Sequence, residues 1–153
     1  MKVAGEFTFD GPRPAVWELL QDPEILAKVL PGTERLERVA DDRYEGAMRV
    51  GVGPVTAGSY AVKIALKDKV PPERYAMVID GRGGLGYAHG TARVELDETG
   101  PRSTRMRYDA DLQVGGKVAG VGQRLLESVA RNLVSQGLSA LNRELAARLA
   151  GNP

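Results

Sequence analysis

The fold is decided by residues 103–149, which read STRMRYDADLQVGGKVAGVGQRLLESVARNLVSQGLSALNRELAARL. Up to residue 114 the apolar side chains alternate with polar or charged ones, which is the period of a half-buried β-strand. Gly115 and Gly116 end that pattern, and over residues 118–150 the apolar side chains recur every third or fourth position. That spacing is typical of an amphipathic helix, here on the order of 45–50 Å long at 1.5 Å per residue. The sequence therefore predicts a strand followed directly by one long helix.

Six further strands are predicted upstream by the same two-residue period. Short turns rich in glycine, proline and aspartate separate them, and connections this short join antiparallel neighbours. Together with residues 103–114 they form a seven-stranded antiparallel sheet that is apolar on one face and solvated on the other. The six strands are predicted at residues 2–10, around Leu36 and Val39, and at residues 43–52, 55–68, 73–80 and 87–97.

Two short helices are predicted between the first and second strands. Pro14 opens one of them, and Asp22 caps the other with Pro23 at its first helical position. Because the sheet has one apolar face and the long helix has one apolar stripe, each needs the other in order to be buried. A curled sheet wrapped around the helix satisfies both requirements. We therefore predict a single α+β domain over residues 1–153 with a helix-grip fold.

Composition excludes several classes of function. The 153 residues include 21 Lys and Arg against 20 Asp and Glu, a balance that does not suit a nucleic-acid-binding protein. There is no cysteine and a single histidine, His89, which excludes disulfides, thiolate nucleophiles, iron–sulfur clusters and two-histidine metal sites. No resident cofactor or metal is therefore expected. No segment resembles a signal peptide or reaches the about 20 apolar residues of a membrane span, which predicts a cytoplasmic protein with at most peripheral membrane contact.

Three motifs that could carry chemistry have simpler structural interpretations. The motif GRGGLG (81–86) has the glycine spacing of a dinucleotide-binding loop, but a strand is predicted after it instead of a helix, which favours a glycine-rich hairpin. His89 and the pair Asp109 and Asp111 fall on the solvated face of the predicted sheet, so we interpret them as parts of a charged outer surface. Trp17 is interpreted as a core residue.

Five ordered motifs resemble those of the carbon monoxide dehydrogenase G-subunit family, within the START/polyketide-cyclase-like superfamily that shares the helix-grip fold. They span most of the chain. The motifs are VWELLQDPEIL (16–26), LPGTE (30–34), VGVGPV (50–55), GRGGLG (81–86) and YDAD (108–111), the last continuing into VGGKVAGVG (114–122).

The resemblance implies a non-enzymatic accessory protein. Such a protein would bind a quinone- or lipid-like molecule and would recruit or serve a molybdenum-containing dehydrogenase at the membrane, in the cytoplasm or at the inner face of the membrane. The chain departs from the family at Gly137 and Leu138, where members tend to carry paired phenylalanines. This departure alters one wall of the expected cavity.

The residues themselves also predict an apolar cavity between the sheet and the long helix. Many inward positions are glycine or alanine, and only 2 Phe, 1 Trp and 5 Tyr are available to fill the space. Because protein interiors otherwise pack to crystal-like density, an unfilled gap indicates a ligand site. The inward methionines either line this cavity or fill the core. The predicted ligand contacts are Leu26, Leu30, Met48, Val50, Tyr60, Val62, Met77, Met106, Tyr108, Leu125, Val129 and Leu133.

Two other functions fit the same sequence pattern. A cyclase- or isomerase-type enzyme acting on an apolar substrate would use tyrosine and aspartate side chains that face the cavity for proton transfer. A ligand-free protein-interaction module would have an interior that side chains fill completely. The lining of the cavity and its polarity therefore distinguish these two functions from a carrier.

Overall fold

The computed structural model describes the backbone of residues 1–52 and 55–151, and their side chains except for residues 52 and 55–57. Its strands are β1 (Lys2–Phe9), β2 (Thr33–Ala40), β3 (Arg43–Val52), β4 (Val55–Val70), β5 (Arg74–Gly83), β6 (Gly86–Gly100) and β7 (Ser103–Gly115). They form the predicted seven-stranded antiparallel sheet in the order β1-β7-β6-β5-β4-β3-β2. β1 and β2 are therefore the two edges of the sheet.

The helices are α1 (Arg13–Gln21), α2 (Pro23–Val29), a 3-10 helix (Lys117–Val121) and α3 (Gln123–Leu149). The predicted cap of α2 is confirmed, because the Asp22 carboxylate accepts hydrogen bonds from the backbone N–H groups of Glu24 at 3.0 Å and Ile25 at 3.4 Å. The predicted start of the long helix at residue 118 is wrong. Gly122 has a φ of 99°, which glycine adopts without a steric penalty, and it separates the 3-10 helix from α3.

Three strands continue two or three residues beyond their predicted ends. β4 reaches Val70 instead of residue 68, β5 reaches Gly83 instead of residue 80, and β6 reaches Gly100 instead of residue 97. The strand pairing continues into residues that the sequence pattern assigns to turns. Asp68 nevertheless stays within β4 at a φ of 53°, in an irregularity of the β4–β5 pairing that accommodates this conformation.

The hydrophobic core fills one half of the space between the sheet and α3. Leu141 is only 2% exposed and Leu145 only 1%, because α1 and the concave face of the sheet enclose them. Trp17 is buried beside Tyr75, with the two rings edge-on at a centroid distance of 5.3 Å, which confirms Trp17 as a core residue. We call this region, below α1 and residues 138–149 of α3, the closed half.

The N-terminal part of α3 is packed less densely. Residues 123–134 lie over the opposite end of the sheet, and none of their side chains is fully buried. The change occurs near Gly137, where a Cβ atom would come within 2.7 Å of the Leu30 side chain. Glycine at this position thus lets the end of α2 approach α3 closely. We call the region below residues 123–134 the open half.

Tyr75 makes the stability of the closed half dependent on pH. Burial raises the pKa of its phenol above the ordinary value of 10.0, and Tyr44 adds to the shift. Because the folded protein favours the neutral phenol, this stability is fully present below about pH 10 and is lost as the pH rises further. We expect the free energy of unfolding to fall there by up to about 1.4 kcal/mol per pH unit, and Tyr75→Phe to lessen the fall. Denaturant titrations of the wild type and of Tyr75→Phe at increasing pH measure the free energy of unfolding. The same decrease with pH in both proteins would contradict this role of Tyr75.

Candidate ligand-binding cleft

An apolar cleft lies in the open half, between α3 and the ends of β3, β4, β6 and β7. Its volume is about 180 Å³. One wall is the helix and the other is the concave face of the sheet, and the 3-10 helix borders one end. We call it the apolar cleft. Its lining residues are Met1, Val50, Tyr60, Tyr87, Ala88, Leu112, Val114, Val118, Leu126, Val129, Ala130 and Leu133.

Glycine and tyrosine residues on the sheet explain why this space is not filled. A Cβ atom at Gly83 would lie 3.1 Å from the Tyr60 ring. The Tyr60 ring therefore lies close against the backbone of β5 instead of reaching toward α3. Ala88 on β6 adds only a methyl group. The inward side chains of this part of the sheet therefore leave space below α3, and the apolar cleft stays open.

The lining of the apolar cleft offers little polar chemistry. Within the described residues no charged side chain borders it, and Tyr60 and Tyr87 are the lining residues that carry a polar side-chain group. A charged ligand would lose its hydration in the cleft without gaining a charged side chain as its partner. The Met1 amino group at the border already donates to the Leu112 carbonyl oxygen at 2.8 Å. A neutral apolar ligand would instead release water from both surfaces. The cleft therefore suits a neutral ligand that makes few hydrogen bonds.

A third of the predicted ligand contacts lie at the apolar cleft. They are Val50, Tyr60, Val129 and Leu133. Leu125 is not part of the lining, and Leu126 takes the corresponding place on α3. The prediction followed steps of four residues along the helix, and each step advances about 40° beyond a full turn. The chosen stripe therefore drifts away from the helix face that meets the sheet.

The remaining predicted contacts lie elsewhere on the concave side. Leu30 packs at Gly137, and Met48 is half-buried opposite Tyr60 in the β3–β4 pairing. The others are buried or pack against the core, and they are Leu26, Val62, Met77, Met106 and Tyr108. Contact of any of the twelve with a ligand stays a prediction.

Several lining residues were missed in the sequence. Alternation along β6 puts Tyr87 on the outer face, where its ring packs over Gly115 and stacks on His89. Tyr87 borders the cleft only because it lies at the end of the sheet. Leu112 and Val114 carry a usable signal, since they alternate inward along β7. Predicting that Leu126 lines the cleft requires the rotation of α3 about its axis, which the sequence alone does not give.

A larger and more open groove of about 630 Å³ lies beside the junction of α1 and α2. Charged side chains surround it, and several of them already serve the local structure. Asp22 caps α2 and accepts a hydrogen bond from Arg148 at 3.5 Å, while Lys69 pairs with Asp42 at 2.7 Å. The smaller apolar cleft is therefore the better candidate for a ligand site.

The other residues considered in the sequence lie on the outer face, as predicted. The His89 ring stacks on that of Tyr87 at a centroid distance of 5.5 Å, and Asp109 and Asp111 are exposed.

In the part of the chain that the structure describes, no group of three His, Asp or Glu side chains could hold a metal ion. Residues 84 and 85 form the turn of the predicted glycine-rich hairpin, and residues 81–83 belong to β5. Among the described helices, none combines the length and the apolar character needed to cross a membrane.

Solved structures with this arrangement define the class of fold. A conserved protein from Geobacillus kaustophilus is similar at a TM-score of 0.91 and 32% identity, with 96% of each chain covered. The Zhui aromatase/cyclase from Streptomyces sp. R1128 is similar at a TM-score of 0.76 and 20% identity, covering 100% of this chain and 99% of the other. A START superfamily protein from Mycobacterium smegmatis has a TM-score of 0.75 and 14% identity, with 95% and 97% covered. The predicted START/polyketide-cyclase-like fold is thus confirmed.

A model of the carbon monoxide dehydrogenase G-subunit (CoxG) family matches residues 5–146. Because the match spans most of the chain, the protein belongs to this family, which confirms the resemblance carried by the ordered motifs. No curated protein is similar enough to count as a match.

Proposed function

We propose that the protein binds a neutral hydrophobic molecule, quinone-like or lipid-like, in the apolar cleft and does not transform it. The observation that carries this proposal is the cleft itself, an unfilled space lined almost entirely by apolar side chains. An empty apolar space lowers stability because its walls lack packing partners. A ligand in the cleft would supply those partners.

The volume limits how much of the ligand is enclosed. Pockets for small molecules usually measure about 300–1,000 Å³, whereas the apolar cleft measures about 180 Å³. A ring system or a short stretch of chain would fit inside, and the rest of a longer molecule would lie along the opening. Burying about 300 Å² of apolar surface contributes about 7 kcal/mol before the cost of association, which favours micromolar or weaker binding.

The chemistry of the lining favours binding over catalysis. General acid–base catalysis needs a positioned group that exchanges a proton near the working pH. Tyrosine is the only side chain in the described lining that can ionise. The likeness to an aromatase/cyclase, at 20% identity, concerns the fold alone. We therefore assign no catalytic residue and prefer the carrier to the cyclase or isomerase alternative.

The family supports an accessory role for the carrier. Its name is that of a component of carbon monoxide dehydrogenase. We infer that this protein serves a molybdenum-containing dehydrogenase of that kind, at the membrane face where apolar molecules are available. In this role the bound molecule would be the reactive species, and the protein would only bind that molecule.

Native mass spectrometry tests the binding proposal. Protein produced in a quinone-containing bacterium and purified without detergent is expected to carry a neutral small molecule that denaturation releases. Ligand-free protein titrated with decylubiquinone is expected to unfold at a higher temperature. Thermal unfolding is the better readout, because Trp17 lies in the closed half and its fluorescence would not report on the cleft. Unliganded protein that neither decylubiquinone nor a long-chain alcohol stabilises would overturn the proposal.

A further inference from the structure

The edge strand β2 offers a short regular segment for pairing. β2 pairs with β3 on one side and has no strand on the other in the described sheet. Irregularities between Thr33 and Arg35 and between Arg38 and Ala40 leave regular pairing over Arg35–Arg38. The charged side chains of this region are all exposed. An exposed regular edge is a template for a further strand.

The order of charges along β2 is complementary to itself. The strand reads TERLERVA, which places Glu34 and Arg35 before Leu36 and Glu37 and Arg38 after it. In an antiparallel pair of two copies centred on Leu36, Arg35 of each copy lies opposite Glu37 of the other. Glu34 would fall opposite Arg38, but it lies in the irregular part of the strand and already accepts a hydrogen bond from the Ser59 hydroxyl at 3.0 Å. Opposite charges in directly facing positions stabilise a pair of strands.

The neighbouring registers bring like charges together. A shift of one residue sets Glu34 opposite Glu37 in one direction and Arg35 opposite Arg38 in the other. A shift of two residues sets Arg35 opposite its own copy, or Glu37 opposite its own copy. Like charges in facing positions are destabilising, so the charges select the register centred on Leu36.

Arg35 and Glu37, the two inner charges, have no ionic partner among the described residues. Glu37 lies directly opposite Glu45 on β3, and Arg35 lies opposite Ala47. Neither Arg35 nor Glu37 forms a salt bridge within the described residues. Both point to the outer face of the sheet, because their β3 partners alternate with the buried Tyr44. A second copy would supply an opposite charge to each of them.

We propose that β2 pairs with β2 of a second copy of this chain, antiparallel about Leu36, and joins the two sheets into one. The new ionic contacts are the two Arg35–Glu37 pairs. Arg38 is already engaged, since it donates to the Gln21 carbonyl oxygen at 3.2 Å and lies over the Tyr44 ring. A contact limited to the regular segment is smaller than a permanent interface, so the dimer forms reversibly and depends on concentration.

Sedimentation equilibrium of the full chain tests the pairing with charge reversals. Arg35→Glu and Glu37→Arg each place like charges across the two-fold axis, and each is expected to weaken dimerisation about tenfold or more. The double variant exchanges the two charges and is expected to dimerise as the wild type does. An equimolar mixture of the two single variants is expected to form a heterodimer, because all facing charges are then opposite.

If the double variant and the mixture dimerise, the loss in the single variants comes from the facing charges and not from damage to the fold. Lys67→Glu is the matched control, because Lys67 is exposed on β4 away from the edge, and dimerisation is expected to be unchanged. Added salt is expected to weaken the wild-type dimer. A wild type that stays monomeric up to about 1 mM, or dimers that the single reversals do not weaken, would overturn the proposal.

Discussion

Leu145→Ala is expected to lower the free energy of unfolding by about 3 kcal/mol. Leu145 is 1% exposed in the core of the closed half, so the substitution removes apolar contacts and leaves a cavity that its neighbours cannot fill. Leu133→Ala removes the same atoms from α3 but is expected to lower the free energy by only about 1 kcal/mol, since Leu133 borders the cleft. Guanidinium unfolding followed by far-ultraviolet circular dichroism measures both values.

The comparison of these two variants tests the division of the fold into a closed and an open half. Both are leucine-to-alanine changes on one helix, so differences in helix propensity cancel. Equal losses of stability would mean that side chains pack around Leu133 as densely as around Leu145. That result would contradict the apolar cleft.

Ala88→Leu is expected to weaken the binding of an apolar ligand about tenfold or more, with little change in stability. The longer side chain would project from β6 into the space of about 180 Å³ and occupy part of it. Calorimetric titration with decylubiquinone measures the affinity. Ala61→Leu is the matched control, because Ala61 is exposed on the outer face of β4.

The two alanine variants together locate the ligand. Unchanged affinity in Ala88→Leu would place the ligand outside the apolar cleft. An equal loss in Ala88→Leu and Ala61→Leu would show an indirect effect transmitted through the sheet. Only a loss confined to Ala88→Leu agrees with the proposed site.

The regular elements could be predicted because their signals are local. The alternation over residues 103–114 specifies a strand with one buried face, and the change of period after Gly116 specifies a helix. Asp22 followed by Pro23 specifies the start of α2, because the carboxylate caps free N–H groups only a few residues away. Such patterns identify elements without any knowledge of what packs on them.

The extent of the cleft could not be predicted because it depends on contacts between distant segments. The closed half is filled by pairs such as Trp17 with Tyr75, which lie far apart in the sequence. The ligand contacts predicted from the sequence therefore include residues such as Met106, which lies in the core. The rotation of α3 decides that Leu126 lines the cleft instead of Leu125. Packing of α3 against the sheet sets that rotation, so the pattern of apolar residues along α3 alone does not predict it.

Contacts between bound ligand and protein methyl groups test the central claim most directly. In nuclear Overhauser spectra of the protein with bound decylubiquinone, cross-peaks are expected from the ligand to the methyl groups of Leu126, Val129 and Leu133. None is expected to those of Leu141 and Leu145. Cross-peaks to the second set, or bound ligand without cross-peaks to the first, would contradict a carrier whose ligand lies between the N-terminal part of α3 and the sheet.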